Sequence, residues 1–389
     1  MGNIFDNTQV AFALKSDTEL DRAYFLFKMI DNEPLVRIGT AVTNFAIKAN
    51  LPVEGLIRAT VFDHFCGGIN ENDCLSVVDK MYTKGVSSVL DYSVEGKEEE
   101  AQFDAALAMT LKTIEFAKER QAIPFAVFKM TGIFQVELLE EFQTESGLSE
   151  ENEAAFLHSK ELLLEICQLA AELRVKLFID AEESWIQTTI DILTYEMMEK
   201  FNQSQAIIFN TFQMYRVDML ENLTNAIAAA KNKNYFLGVK LVRGAYLEKE
   251  RQRAHEDEYS EPLHKDKAHT DQDFNLGMLA CLNNIDRVHF CIGTHNEYSC
   301  QLLAEEMAKQ QIPHNHPNIY FAQLLGMSDN ISYNLAASGY NVAKYVPYGP
   351  VESVMPYLFR RAEENSSIAG QTSREYTLLQ NEVKRRKNA

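Results

Sequence analysis

The sequence has no long apolar run and no closely paired cysteines. No stretch of its 389 residues approaches the roughly 18 consecutive apolar residues of a membrane-spanning helix. The amino terminus lacks a basic leader followed by an apolar core, so no signal peptide is predicted. None of the six cysteines forms a CxxC pair, which argues against a metal site or a disulfide framework and indicates reduced thiols in a cytoplasmic compartment. The cysteines are Cys66, Cys74, Cys167, Cys281, Cys291 and Cys300.

Positive charge is also scarce. Lysine and arginine number 37 against 56 acidic residues, which gives a net charge of −19 and a pI of about 5.0. A surface this acidic repels phosphate backbones, so we expect no nucleic-acid partner. The 46% hydrophobic and 24% charged residues are typical of a folded globular protein, so disorder is not expected.

Short apolar, β-branched runs alternate with long amphipathic stretches through most of the chain. This alternation indicates parallel strands joined by right-handed helical crossovers. Because no GxGxxG follows the first run, we favour a closed (β/α)8 TIM-like barrel over residues 81–389, with a helical extension over residues 1–80. An open, doubly wound sheet is the alternative. The eight runs begin at Gly85, Phe125, Val175, Ala206, Phe236, Val288, Asn318 and Asn341.

Polar residues stand at the carboxyl end of every run. One such residue is ordinarily a surface loop residue, but eight in succession would converge on one face of a barrel, where active sites are assembled. The charged segment 247–273 follows the fifth run and is predicted to be either a solvated loop or helix, or a lid over that face. The strand-end residues are Asp91, Lys129, Thr131, Asp180, Glu182, Gln213, Arg243, His295, Asn296, Gln323 and Tyr345.

The segment after the last run, YVPYGPVESVMPYLFRRAEEN, is the densest in functional residue types. Helical spacing places Tyr357, Arg361 and Glu364 on one face, with Arg360 at its edge. Two guanidinium groups suit a carboxylate ligand because each offers parallel donors. A salt-bridge cluster on the helix surface is the alternative interpretation.

This segment closely resembles the signature of the proline dehydrogenase family. FKMTG, FIDAEES, NTFQMY, VKLVRGAY and GTHN resemble further family motifs in the same order, so the resemblance runs from about Gly85 to Asn365. It implies a monofunctional enzyme that oxidises L-proline to 1-pyrroline-5-carboxylate with FAD, as the first step of proline catabolism. It also implies a quinone electron acceptor and peripheral contact of a cytoplasmic protein with the inner membrane.

The resemblance assigns the substrate-binding residues by motif. Lys129, Arg360 and Arg361 would hold the proline carboxylate. Leu241, Tyr246 and Tyr357 would pack against the pyrrolidine ring. The catalytic residues would be Asp180, which braces Tyr345 to complete the pocket, and Lys240, which lies beside the reactive edge of the flavin.

The cofactor residues also come from the resemblance. Many bacterial members have arginine at the position of Lys240 and lysine at that of Arg243, so the two cations are exchanged here. Without the resemblance, His295 reads as an ordinary strand-end histidine. The FAD-binding residues would be Ala181, Gln213, Lys240, Arg243, Gly244, Ala245, Thr294 and His295.

Two other classes of function fit parts of the pattern. A barrel enzyme of different chemistry could form a Schiff base at Lys129 or Lys240. A scaffold without catalytic activity could use the acidic surface to bind a protein partner, but it would leave the polar strand ends unexplained.

Overall fold

The computed structural model describes residues 4–30, 55, 58–93, 103–144, 147–358 and 371–388, and its strands form a closed eight-stranded barrel in chain order. The parallel pairing of the first strand with the last closes the ring, so the predicted barrel is confirmed and the open sheet is not. All eight predicted runs are strands. They are β1 (Val86–Tyr92), β2 (Phe125–Lys129), β3 (Lys176–Asp180), β4 (Ile208–Gln213), β5 (Leu237–Val242), β6 (Val288–Gly293), β7 (Ile319–Leu324) and β8 (Val342–Tyr348).

Helices precede the barrel and link its strands. Before β1 the described residues form α1 (Thr8–Ala11), α2 (Asp17–Ile30), α3 (Asp63–Phe65) and α4 (Leu75–Tyr82). Residues 31–54 of the predicted helical extension lie outside the described residues. The later helices are α5 (Phe103–Lys118), α6 (Val136–Phe142), α7 (Glu150–Leu173), α8 (Ser184–Phe201), α9 (Met219–Lys233), α10 (Leu247–Glu256), α11 (Lys267–Leu282), α12 (Glu297–Lys309), α13 (Asp329–Ala337), α14 (351–358) and α15 (Gln371–Lys387).

None of the helices in the described ranges combines the length and the apolar character that crossing a membrane requires. The chain folds as two compact units, one of residues 1–96 with 322–389 and the other of residues 97–321. This division differs from the predicted split at residue 80, and the independence of an amino-terminal region stays a prediction.

In the unit of residues 97–321, aromatic rings from three neighbouring strands pack against one another. Phe125 stacks on Phe178 with ring centroids 4.3 Å apart, and Phe209 meets Phe178 edge-on at 5.4 Å. All three rings are buried and come from consecutive strands. Each ring precedes the polar carboxyl end of its own strand.

In the other unit, helices from both ends of the chain pack together. Phe12, Phe27 and Leu378 belong to one buried apolar cluster, and the rings of Tyr24 and Tyr376 stack at 5.0 Å. The carboxyl-terminal helix α15 is therefore part of the core of this unit.

Across the whole chain, all six cysteines are free and buried, as expected for reduced thiols.

Candidate active site

The carboxyl ends of β3 and β5 carry a partly buried ion pair. The ammonium of Lys240 on β5 pairs with the carboxylate of Asp180 at the end of β3, and it also lies 5.4 Å from the ring of Phe178. Because β4 separates these strands, the two side chains must extend across the same face of the sheet to meet. Two residues predicted to be catalytic are thereby brought together.

Leu241 follows Lys240 and is fully buried. Successive side chains leave a strand on opposite faces, so Leu241 and Lys240 do not share one face of β5. Contact between Leu241 and a substrate ring stays a prediction.

Gln213 at the end of β4 links its two neighbouring strands. Its side-chain amide donates to the carbonyl of Glu182 at 2.7 Å, and its side-chain oxygen accepts from the N–H of Ala245 at 3.1 Å. The side chain is buried, and its bond to Glu182 is shielded from water. Gln213 thus fixes the backbone beyond β3 and β5 relative to each other.

The backbone just beyond the end of β5, at Gly244, is exposed and has a conformation that only glycine adopts without strain. Gly244 has φ +139°, and a Cβ atom there would overlap the ring of Tyr215, at less than 3.0 Å. Gly244 and Ala245 are exposed, although the strand before them is largely buried. The local sequence therefore presents bare backbone at the mouth of the barrel.

Arg243 is held at the centre of a network between β5 and β6. It donates to Asp271 at 2.6 Å, to Thr294 at 2.6 Å and to Ser299 at 3.1 Å, and its guanidinium lies 4.3 Å from the ring of Phe274. Arg243 and Thr294, both predicted to bind a cofactor, are thus in direct contact.

Asp271, Ser299 and Phe274 were not predicted from the sequence. Burial would raise the pKa of Asp271, but hydrogen bonds from Lys267 and Arg243 lower it below its usual range. Asp271 therefore stays charged at neutral pH and anchors Arg243. His295 follows Thr294 and is half-buried.

A buried acid, Glu182, lies beside the end of β2. Glu182 accepts from the backbone N–H of Thr131 at 3.0 Å and from its hydroxyl at 2.6 Å. Burial raises the pKa of Glu182, and the nearby charge of Lys129 opposes this shift.

Burial also raises the pKa of the Tyr246 phenol, and the charge of Lys129 opposes this shift as well. The charge of Lys129 thus affects both groups, while its contact with a substrate stays a prediction. Ala181, between Asp180 and Glu182, is buried as well.

Two predicted residues belong to the unit of residues 1–96 and 322–389. Tyr345 on β8 and Tyr357 on α14 are both buried. Arg360 and Arg361 lie outside the described residues, so their predicted role rests on sequence alone.

A family model described as proline dehydrogenase matches residues 74–374. The chain belongs to the proline dehydrogenase family. It is similar to the carbapenem antibiotics biosynthesis protein CarD of Pectobacterium carotovorum subsp. carotovorum, with 32% identity over 333 residues that cover 86% of each chain. Proline dehydrogenase 1, mitochondrial, of Homo sapiens is 38% identical over 244 residues, which cover 62% of this chain and 41% of the human protein.

The fold is that of a solved structure of proline utilization A from Bdellovibrio bacteriovorus inactivated by N-propargylglycine. The TM-score is 0.71 with 19% identity, and the match covers 94% of this chain and 37% of the other. The chain therefore spans well under half the length of this protein and of the human relative. The proline dehydrogenase match over residues 74–374 contains every predicted site residue, including Arg360 and Arg361.

Proposed function

We propose that the protein oxidises L-proline to 1-pyrroline-5-carboxylate with FAD as cofactor and passes the electrons to a quinone. The observation that carries this proposal is the ion pair of Lys240 and Asp180 at the carboxyl ends of the strands, in a chain of the proline dehydrogenase family.

The groups around the end of β5 suit a flavin. Lys240 and Arg243 supply positive charge, Thr294 a hydroxyl group, and Gly244 and Ala245 exposed backbone. Three of the five N–H groups of Arg243 are bonded within the protein, which fixes the guanidinium before any ligand arrives. This mixture of cations and neutral donors fits an anionic diphosphate and a polar ring system. When bound there, the flavin would supply the hydride acceptor.

The protein's own part is to bind and orient a zwitterionic ring. Lys129, with Arg360 and Arg361, would attract the carboxylate of proline by charge-assisted hydrogen bonds. By the resemblance, the buried rings of Tyr345 and Tyr357 and the half-buried ring of Tyr246 would form the apolar wall and exclude water. Lys240 would place its positive charge where negative charge develops during hydride transfer.

The ion pair also weighs against a Schiff-base enzyme. An ammonium group that pairs with Asp180 has no lone pair for attack on a carbonyl. Schiff-base chemistry at Lys240 would first require this ion pair to break.

The direct test is the absorbance spectrum of the purified protein. We expect non-covalently bound FAD whose visible absorbance falls when L-proline is added without NAD. D-proline serves as the control for stereospecific binding. A colourless protein, or one whose flavin is unchanged by L-proline, would overturn the proposal.

A further inference from the structure

Glu250 lies in the most charged segment of the chain, yet its side chain is 0% exposed. It sits on α10, and its carboxylate accepts from the backbone N–H of Ser184 at 2.7 Å and from the Ser184 hydroxyl at 2.6 Å. Ser184 is the first residue of α8, where backbone N–H groups have no partner within the helix. Glu250 therefore caps a helix that begins 66 residues earlier in the chain.

Neighbouring residues make further contacts between the same two helices. Lys249 pairs with Glu183 at 2.6 Å, and the guanidinium of Arg253 lies 4.5 Å from the ring of Trp185. Both ties are more exposed than the Glu250 bond, so solvent screens them more strongly. Glu250 is thus the buried centre of the contact between α10 and the start of α8.

The two helix starts carry the predicted substrate and catalytic residues. Tyr246 directly precedes α10, and its carbonyl accepts from the N–H of Glu250 at 2.9 Å. Asp180 stands four residues before Ser184, at the end of β3. One carboxylate consequently joins the segment that carries Tyr246 to the segment that carries Asp180.

We propose that Glu250 is a positioning residue that holds Tyr246 in place by docking α10 on the start of α8. Its effect on turnover rests on the proposed function, whereas the docking itself does not. Removing the carboxylate leaves the half-buried N–H and hydroxyl of Ser184 without their acceptor, which favours separation of the two helices. Tyr246 then loses its fixed position at the strand end, and substrate binding weakens.

The test compares Glu250→Ala with Glu248→Ala in the flavin-loaded full chain. Glu248 is the matched control because it lies exposed on the same helix and carries the same charge. Trp185, the only tryptophan in the sequence, contacts α10 through Arg253 and reports docking without any substrate. Acrylamide quenching of its fluorescence should rise in Glu250→Ala and stay unchanged in Glu248→Ala.

Kinetics test the positioning role separately. In Glu250→Ala the KM for L-proline should rise roughly tenfold or more, with a much smaller change in kcat and with flavin retained. Glu250→Gln keeps an oxygen acceptor for the Ser184 N–H, so its KM should lie between those of the unmodified protein and Glu250→Ala. This variant also keeps the test usable if the alanine variant fails to fold.

Unchanged quenching in both Glu250 variants would overturn the docking claim. Increased quenching with unchanged KM would overturn the positioning role. An unmodified protein that leaves L-proline untouched would instead overturn the proposed function, and the quenching comparison would still decide whether Glu250 docks α10.

Discussion

Gly244 is a residue whose conformation and surroundings both exclude a side chain. A Cβ atom would approach the Tyr215 ring to less than 3.0 Å, and φ +139° is strained for any L-residue with a side chain. We expect Gly244→Ala to lower the free energy of unfolding by about 1–3 kcal/mol and to weaken flavin retention.

Thermal unfolding of Gly244→Ala and of Gly132→Ala checks this prediction. Gly132 is the control because an added Cβ would lie 3.8 Å from that of Ala106, an ordinary contact. Equal melting temperatures for the two variants would contradict the steric argument.

Arg361 is predicted to hold the substrate carboxylate. A charge-assisted hydrogen bond contributes about 1.5–3 kcal/mol, so Arg361→Met should reduce kcat/KM for L-proline roughly ten- to a hundredfold. Pyrrolidine lacks the carboxylate, so it should be a poor substrate for the unmodified protein and lose little further in the variant. Steady-state kinetics with both substrates provides the measurement. An equal loss for the two, with a lower melting temperature, would favour the surface salt-bridge interpretation.

At the scale of elements, the strands could be predicted because each is a local pattern. The run VKLFIDAE already contains an apolar strand and its polar end, and β3 occupies Lys176–Asp180 as this pattern indicates. Pairs that depend on packing could not be predicted in this way. Glu250 looks like one more solvated charge in LEKERQRAHE, because its partner Ser184 is distant in sequence.

The segment 247–273 illustrates the same limit. Its charge predicted a solvated loop or helix, or a lid, and the structure has the helix α10 and the start of α11, joined by residues 257–266. The role as a lid stays a prediction. Charge density alone does not show that one face of α10 is buried. The Arg243 network could not be predicted from the sequence either. Asp271 looks like a surface residue unless the position of α11 beside β5 is known.

The helix α15 is joined to its unit by a buried acid that should make docking depend on pH. Glu375 accepts from the N–H of Ser328 at 2.9 Å, close to Asp329, Lys15 and Lys344. Burial, together with the charge of Asp329, raises the pKa of Glu375 to about 7. A carboxyl group with a raised pKa stabilises the fold fully below its unfolded pKa of 4.5 and loses this contribution as pH rises through 7.

We therefore expect the melting temperature of the unmodified protein, relative to that of Glu375→Gln, to fall between pH 4.5 and pH 7. The comparison is needed because His64, in the same unit, has the opposite dependence. Burial lowers the pKa of His64 to about 3, so its contribution is lost as pH falls below 6.5. Subtracting the two melting curves removes the histidine. A constant difference across this range would show that Glu375 does not titrate there.

At the scale of the whole molecule, the mouth of the barrel is prepared for a ligand before one binds. Gln213 joins the ends of β3 and β5, and Arg243 joins the end of β5 to Thr294 beyond β6. A ligand that contacts these groups binds the folded chain and not the unfolded one. Its binding should therefore appear as global stability.

Protein stripped of flavin should accordingly gain about 2.7 kcal/mol of stability when FAD is added at roughly one hundred times its Kd. The melting temperature should rise with FAD concentration, because the ligand binds only the folded state. NAD should have no such effect, since no GxGxxG segment follows the first strand to hold a dinucleotide at a helix start. Thermal melts across a series of FAD and NAD concentrations decide between the cofactors. Stabilisation by NAD and not by FAD would contradict both the cofactor and the assignment of Arg243 and Thr294 to its binding.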